Sequence, residues 1–148
     1  MDSEAGPTQP MRIWTLGAKV ADLDAEIAFV ERLGGELVLD DRIPFAGEEF
    51  RVPLLRFGDR YLHIAERMVY EDDLEAPLPP GLCHVVFEVD DLEAARRRAL
   101  DAGATEMTPP ARVEAGFGVR DVAFLRSPGG ILFELIRIVE HDVPRPWA

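Results

Sequence analysis

Histidine and glutamate side chains stand at three points within apolar, strand-like segments of this sequence. His84 lies at the start of the apolar run in "GLCHVVFEVDDLEAA" and is either a packed core histidine or a ligand at the mouth of a cleft. Glu134, in "ILFELI", has apolar neighbours, and an unpaired carboxylate is costly there unless it lies on the solvated side of the sheet. His63, in "YLHIAE", has the alternative of a common edge-strand histidine. Imidazole and carboxylate groups can bind a metal ion, so their relative placement decides their role.

Hydrophobic periodicity and turn signals predict the elements that must position these side chains. The segment "RIWTLGAKV" predicts a strand, and "DLDAEIAFVERLGG" predicts a helix with Asp22 as its N-cap and Gly34 as its C-terminal stop. The segments "ELVLDDR", "FRVPLLRFG" and "RYLHIAER" predict three further strands, the last two joined as a hairpin at Gly58. The order then restarts with the strand "CHVVFEVD" and the helix "DLEAARRRALDAG", and it closes with the hairpin "VRDVAFLRSPGG" and "ILFELIRIVE".

The two halves of the chain repeat one pattern of strand, helix start and glycine stop. A shift of 69 residues places Thr15 on His84, and a shift of 71 residues over the last strands places His63 on Glu134. Each half is therefore predicted to be a β-α-β-β-β unit. The identities under the shift of 69 are Val20 with Val89, Asp22 with Asp91, Leu23 with Leu92, Ala25 with Ala94 and Gly34 with Gly103.

The composition favours a soluble globular protein and argues against several classes of function. The 148 residues, 47% of them hydrophobic, are enough for one domain with a real core. A formal net charge of −12 argues against nucleic acid as a partner, because phosphate binding needs a basic face. The single cysteine, Cys83, excludes an intrachain disulfide and fits a reducing compartment. Because signal-peptide and membrane-spanning patterns are absent from the sequence, we expect a cytoplasmic protein with a small-molecule partner.

Changes in composition along the chain predict its domain organisation. The first ten residues are polar and are expected to be flexible. An acidic, proline-rich stretch near the middle predicts a linker between the two units. We therefore expect a flexible N-terminus (1–10), a single domain (11–140) made of module 1 (11–67), a linker (68–81) and module 2 (82–140), and a C-terminal tail (141–148).

The paired modules, the Asp-Leu helix starts and the ending "SPGGILFELI" together resemble the vicinal oxygen chelate superfamily. That group includes glyoxalase I, fosfomycin and bleomycin resistance proteins, methylmalonyl-CoA epimerase and extradiol dioxygenases. The resemblance covers nearly all of the chain from Arg12 to Glu140. It implies an α+β fold in which two tandem β-α-β-β-β modules form curled mixed sheets around a central cleft.

In the superfamily that the sequence resembles, four inward positions on the first and last strands of the modules meet a divalent metal ion. Mapped onto this chain, those positions are Thr15, His63, His84 and Glu134. Thr15 replaces a frequent histidine, and His63 stands where the glyoxalase pattern carries a glutamate. The resemblance implies a metal site of His63, His84 and Glu134, with Glu134 also as the catalytic group. Such a set suits Fe(II), Mn, Zn, Ni or Co and leaves positions open for substrate oxygens.

Four further residues are candidates for contact with a substrate. Thr15 would lie beside the metal ion and hydrogen-bond a bound water. Lys19 and Glu88 are equivalent under the shift of 69 and are expected to face each other near the module boundary, where an ion pair would be structural. Phe117 belongs to "EAGFGVR", which resembles a loop that flanks the ligand in the superfamily, although a plain turn with two glycines explains it equally well.

Two functions follow from the resemblance. The first is a divalent-metal-dependent enzyme whose small substrate chelates the metal through neighbouring oxygens, with lyase, isomerase or dioxygenase chemistry. The alternative is a metal-free binding or sequestration protein of the bleomycin-resistance type, which the loss of a histidine at Thr15 keeps open. Relatives often form homodimers, and a homodimer would cover sheet edges and apolar surface here.

Overall fold

Each half of the chain forms a β-α-β-β-β module in the computed structural model, which describes residues 11–141. The predicted flexible N-terminus and all of the predicted tail beyond His141 lie outside the described residues. Module 1 contains β1 (Arg12–Lys19), α1 (Leu23–Arg32), β2 (Glu36–Phe45), β3 (Glu48–Phe57) and β4 (Arg60–Ala65). Module 2 contains β5 (Gly81–Glu88), α2 (Leu92–Asp101), β6 (Thr105–Ala115), β7 (Gly118–Arg126) and β8 (Leu132–His141).

Both helices begin and end as the repeat predicts. The carboxylates of Asp22 and Asp91 each accept a hydrogen bond of 3.0 Å from the backbone N–H three residues later, which satisfies one of the free donors of the first turn. Gly34 and Gly103 follow the helices with φ of +100° and +108°, a conformation that glycine adopts without strain. Each helix packs an apolar face against the outside of its own module. Neither these helices nor any other among residues 11–141 is long and apolar enough to cross a membrane.

The strands form one eight-stranded sheet in which the two modules lie on either side of the centre and have the same strand order counted outward from it. The order is β2-β3-β4-β1-β5-β8-β7-β6, so equivalent strands of the two modules occupy equivalent places around the β1–β5 seam. β1 is parallel to β4 and antiparallel to β5. The sheet curls until its edge strands β2 and β6 contact each other. This confirms the expected α+β fold of two modules with curled mixed sheets around a central cleft.

A buried carboxylate ties the two ends of the curled sheet together. Asp41, on β2, accepts hydrogen bonds from the backbone N–H groups of Gly116 and Phe117, at 2.9 and 3.2 Å, in the turn between β6 and β7. Asp41 is only 6% exposed. Hydrogen bonds therefore join module 1 to module 2 at the β1–β5 seam and at this contact, which we call the Asp41 latch, and the two modules also share the core inside the sheet.

The segment between the modules is packed rather than loose. Tyr70 is buried in the core inside the curled sheet. Glu71, at the start of a single 3-10 turn (Glu71–Asp73), forms an ion pair with Lys19 and accepts hydrogen bonds from two backbone N–H groups of its own segment. The expected ion pair of Lys19 with Glu88 is not formed, because the antiparallel register places Lys19 opposite Gly81, at the other end of β5 from Glu88.

Candidate functional site

The inner face of the curled sheet encloses a small cavity with a polar end. Its volume is about 50 Å³, which is room for about four water-sized groups. Five side chains that can ionise or hydrogen-bond lie together at this polar end, within an otherwise apolar core. These residues are His63, Tyr70, His84, Arg120 and Glu134; Arg67 lines the cavity as well, but its exposed guanidinium group is paired with Glu48. The apolar walls include Ile43, Phe45, Val52, Met68 and Phe124.

One ring nitrogen of His84 has a hydrogen-bond partner, and the other faces Glu134. On β5, its Nδ1 lies 2.8 Å from the hydroxyl oxygen of Tyr70, and its Nε2 lies 3.7 Å from Oε1 of Glu134. Burial lowers the pKa of His84 to about 4, so the imidazole is neutral near pH 7. In the tautomer whose Nδ1–H donates to the tyrosine oxygen, Nε2 keeps a lone pair directed at the side of Glu134. The arrangement leaves one nitrogen free to bind a ligand.

The position of the His84 ring depends on a missing side chain. Gly17, on β1, is paired with His84 on one side and with His63 on the other. A Cβ atom on Gly17 would lie 2.2 Å from Cε1 of His84, well inside van der Waals contact. Only glycine therefore allows the His84 ring to occupy its place over β1.

His63, on β4, faces the same cavity from module 1. Its ring stacks on Trp14, with 5.6 Å between the ring centroids. Trp14 reaches the inner core at an irregularity in β1, where the pairing register shifts between Ile13 and Thr15. Burial, and then the positive charge of Arg120, hold the pKa of His63 well below its usual value, so this imidazole is also neutral.

Glu134, on β8, is a buried carboxyl whose ionisation is disfavoured. Burial raises its pKa to about 7, and the nearby charge of Arg120 acts in the opposite direction. The group is therefore partly protonated near neutral pH. It can donate or accept a proton at the cavity, and a cation bound beside it would favour the carboxylate form.

Arg120, on β7, was not identified from the sequence. Its guanidinium carbon lies 4.5 Å from the centroid of the Phe117 ring, a cation–π contact, and its Nη1 is buried without a hydrogen-bond partner. The sequence signal that could have placed Arg120 on the inner face is its alternation with Val122 and Phe124 along one strand. All three residues line the cavity. Tyr70 was missed as well, and nothing in its aperiodic segment indicates that it contacts His84.

The site residues predicted from the sequence separate into two groups. His63, His84 and Glu134 line one cavity, and their donor chemistry, two neutral imidazoles and a carboxyl group, fits a divalent ion. Among residues 11–141, however, no three His, Cys, Asp or Glu side chains are grouped closely enough to hold a metal ion. The three-residue ligand set therefore stays a prediction that requires the side chains to move together.

The four predicted substrate contacts do not line this cavity. Thr15 is buried, and its hydroxyl donates to the carbonyl oxygen of Leu16 at 3.2 Å. Lys19 is paired with Glu71, at the outer end of the seam. Phe117 lies beneath Arg120 and positions that side chain. Their contact with a substrate stays a prediction, as does that of Glu88.

Comparison with solved structures shows similar folds at low sequence identity. A hypothetical protein from Bacillus halodurans C-125 has a TM-score of 0.67 and 19% identity, over 90% of this chain and 99% of that one. A mutant of methylmalonyl-CoA epimerase from Streptomyces coelicolor, in complex with 2-nitronate-propionyl-CoA, has a TM-score of 0.66 and 22% identity, over 87% of this chain and 98% of that one. A mutant of 4-hydroxymandelate synthase from Streptomyces coelicolor has a TM-score of 0.62 and 16% identity, over 99% of this chain and 54% of that one.

Comparison with family profiles is decisive for classification. No curated protein matches the sequence significantly. The profile of the glyoxalase/bleomycin resistance protein/dioxygenase superfamily, however, matches residues 15–124, which is most of the chain. That match agrees with the two-module fold and with the resemblance that the sequence carries. The chain belongs to the glyoxalase/bleomycin resistance protein/dioxygenase superfamily, the vicinal oxygen chelate superfamily.

Proposed function

We propose that this protein is an enzyme that acts on a small molecule with the help of a divalent metal ion bound by His63, His84 and Glu134. The observation that carries the proposal is the approach of His84 Nε2 to Glu134 Oε1, at 3.7 Å, in a cavity that His63 also lines. Two neutral imidazoles and one carboxyl group are the donor types that Fe(II), Mn, Zn, Ni and Co accept from proteins.

The proposed roles follow from the surroundings of each residue. A divalent ion would supply Lewis-acid activation of neighbouring oxygens of the substrate. Tyr70 orients the His84 ring, as an outer partner does for many metal-binding histidines. Glu134 would supply the negative charge that offsets the cation, and its pKa near 7 also equips it to move a proton at the cavity.

A second function is supported by a different observation. Within residues 11–141 the three candidate ligands do not converge on a metal-ion position, and the cavity walls are mainly apolar. These features suit a protein that binds and sequesters a small molecule without a metal ion. This alternative and the enzyme differ in metal content, which can be measured directly.

Metal analysis of protein purified without chelator tests the proposal. We expect metal by mass spectrometry at close to one ion per chain, and loss of that metal in His84→Ala and Glu134→Gln, because each change removes a donor from the set. His141→Ala removes the only other histidine of the sequence and Glu140→Gln removes an exposed carboxylate of the same strand, β8. Both serve as matched controls and should keep full metal content.

The same measurements separate the two functions. Metal-free wild-type protein that also fails to take up any of the five ions in a calorimetric titration would contradict the enzyme and leave sequestration. Full metal content in His84→Ala or Glu134→Gln would show that the ligands are wrong. Thermal unfolding of each variant should be recorded, so that loss of metal is not confused with loss of fold.

We also propose that the protein is a homodimer. Ile13 and Leu82, on the two strands of the seam, are 56% and 74% exposed. Their pairing partners, Phe87 and Ala18, pack in the clusters beneath α2 and α1, so both exposed side chains lie on the helix-bearing face of the sheet. A second copy of the chain would bury this apolar surface.

Sedimentation at micromolar concentration tests the dimer. We expect a dimer for the wild type and a shift toward monomer in Leu82→Asp, because a carboxylate would have to be desolvated at the interface. Leu33→Asp is the matched control, since Leu33 is also an exposed leucine, at 62%, but lies at the end of α1. A monomeric wild type would contradict the proposal.

A further inference from the structure

Arg120 carries a guanidinium group into the cavity and leaves a donor of that group unused. The residue is 5% exposed and lines the cavity, and its Nη1 is buried with no hydrogen-bond partner in the described part of the chain. A buried charged donor without an acceptor is unfavourable, and most buried polar groups in native proteins have a partner. An acceptor supplied by a ligand would remove that cost.

The guanidinium group is fixed before any ligand arrives. Its carbon lies 4.5 Å from the centroid of the Phe117 ring, and Phe117 is 1% exposed. The backbone N–H of Phe117 is in turn bound by Asp41 in the latch. Because this chain of contacts holds Arg120 in place, little conformational entropy remains to be lost when a ligand binds.

The neighbours of Arg120 define the charge that the cavity can accept. Two cations line the cavity, Arg67 and Arg120. Arg67 is paired with Glu48 and Asp72, whereas Nη1 of Arg120 is buried without a partner, so Arg120 is the cation left to meet a ligand. A planar guanidinium matches the two oxygens of a carboxylate. The cavity volume, about 50 Å³, admits a head group of a few atoms next to apolar walls.

We propose that the cavity binds a small monocarboxylate and that Arg120 holds the carboxylate group. This inference rests on the proposed function in one respect, namely that the ligand occupies the same cavity, and it requires no metal ion. It also applies to the metal-free alternative. Arg120 would then select substrates by charge, and the apolar walls would select them by the size of the attached group.

Calorimetric titration with propionate tests this assignment, with the protein held in excess chelator so that metal content has no influence. Propionamide is the uncharged probe of nearly the same shape. We expect wild-type protein to bind propionate at least about tenfold more tightly than propionamide, as a charge-assisted pair requires. Arg120→Met should abolish the preference. Arg126→Met, a change of the same kind on the same strand outside the cavity, should preserve it.

A purely structural role for Arg120 predicts different results. Because a buried cation is costly, Arg120→Met should unfold at the same temperature as the wild type or higher, whereas loss of a structural contact would lower that temperature. Equal affinity for propionate and propionamide, no binding of propionate by the wild type, or undiminished binding by Arg120→Met would each overturn the proposal. Metal content measured in parallel identifies which proposal has failed, since Arg120→Met should keep the metal that His84→Ala loses.

Discussion

Replacing Gly17 with alanine is expected to displace the His84 ring and to disable the cavity. The added Cβ would lie 2.2 Å from Cε1 and 2.6 Å from Nε2 of His84, so the ring has to move and its contact with Tyr70 is lost. Overpacking of this kind costs about 1–3 kcal/mol of unfolding free energy. Metal or carboxylate affinity should fall at least about tenfold, since both depend on the polar end of the cavity.

A double-mutant cycle measures whether that cost comes from His84. In a His84→Ala background the clash is absent, so Gly17→Ala should then change the unfolding free energy by less than about 0.5 kcal/mol. Gly129→Ala is the matched control, because a Cβ there meets no atom within 4 Å and the backbone is not in the left-handed region. An equal cost of Gly17→Ala in both backgrounds would show that the ring is not the obstacle. Urea unfolding gives all the free energies required.

Breaking the Asp41 latch should have the largest effect on stability of any single polar change considered. Asp41→Ala removes the acceptor of two backbone N–H groups, that of Gly116, which is exposed, and that of Phe117, which is buried. An unsatisfied buried donor costs about 1–3 kcal/mol, and water can replace the acceptor at the exposed Gly116, so the unfolding free energy should fall by about 1–3 kcal/mol. Binding at the cavity should weaken as well, because Phe117 supports the side chain of Arg120.

The neighbouring residue provides the control for the latch. Asp40 is an exposed carboxylate that pairs with Arg51, and Asp40→Ala should cost less than about 1 kcal/mol, as surface ion pairs do. Asp41→Asn keeps the shape of the side chain and one acceptor oxygen, so it should fall between the wild type and Asp41→Ala. If Asp41→Ala and Asp40→Ala destabilise the protein equally, the two ends of the sheet are not held by the latch.

The sequence predicts the fold well because the repeated features are those that the backbone itself requires. Asp22, Asp91, Gly34 and Gly103 occupy cap and stop positions where few residue types are acceptable, and the structure confirms both helix ends. The ends of the strands are predicted less accurately than the ends of the helices. β2 continues past the predicted end of "ELVLDDR" to Phe45, because an edge strand tolerates a proline that would break a central one.

The candidate site is less predictable than the fold. The resemblance and the repeat predict that His63, His84 and Glu134 face one site, and all three line the cavity. Tyr70 could not be found in this way, because it comes from the segment between the modules, where no periodicity assigns a face. Gly17 could not be found either, since its role depends on the position of the His84 ring across the seam and is invisible within one strand.

The arrangement of the two modules around the seam has a consequence for how a ligand is oriented. A pocket built from two identical halves would accept an unsymmetrical molecule in two equivalent poses related by the twofold axis. Here the equivalent positions hold different groups: Glu134 lines the cavity opposite its counterpart His63, and His84 lines it whereas its counterpart Thr15 does not. A molecule turned end for end would meet a different set of donors and acceptors. Because the two halves have diverged, we expect an unsymmetrical ligand to bind the pocket in a single preferred pose.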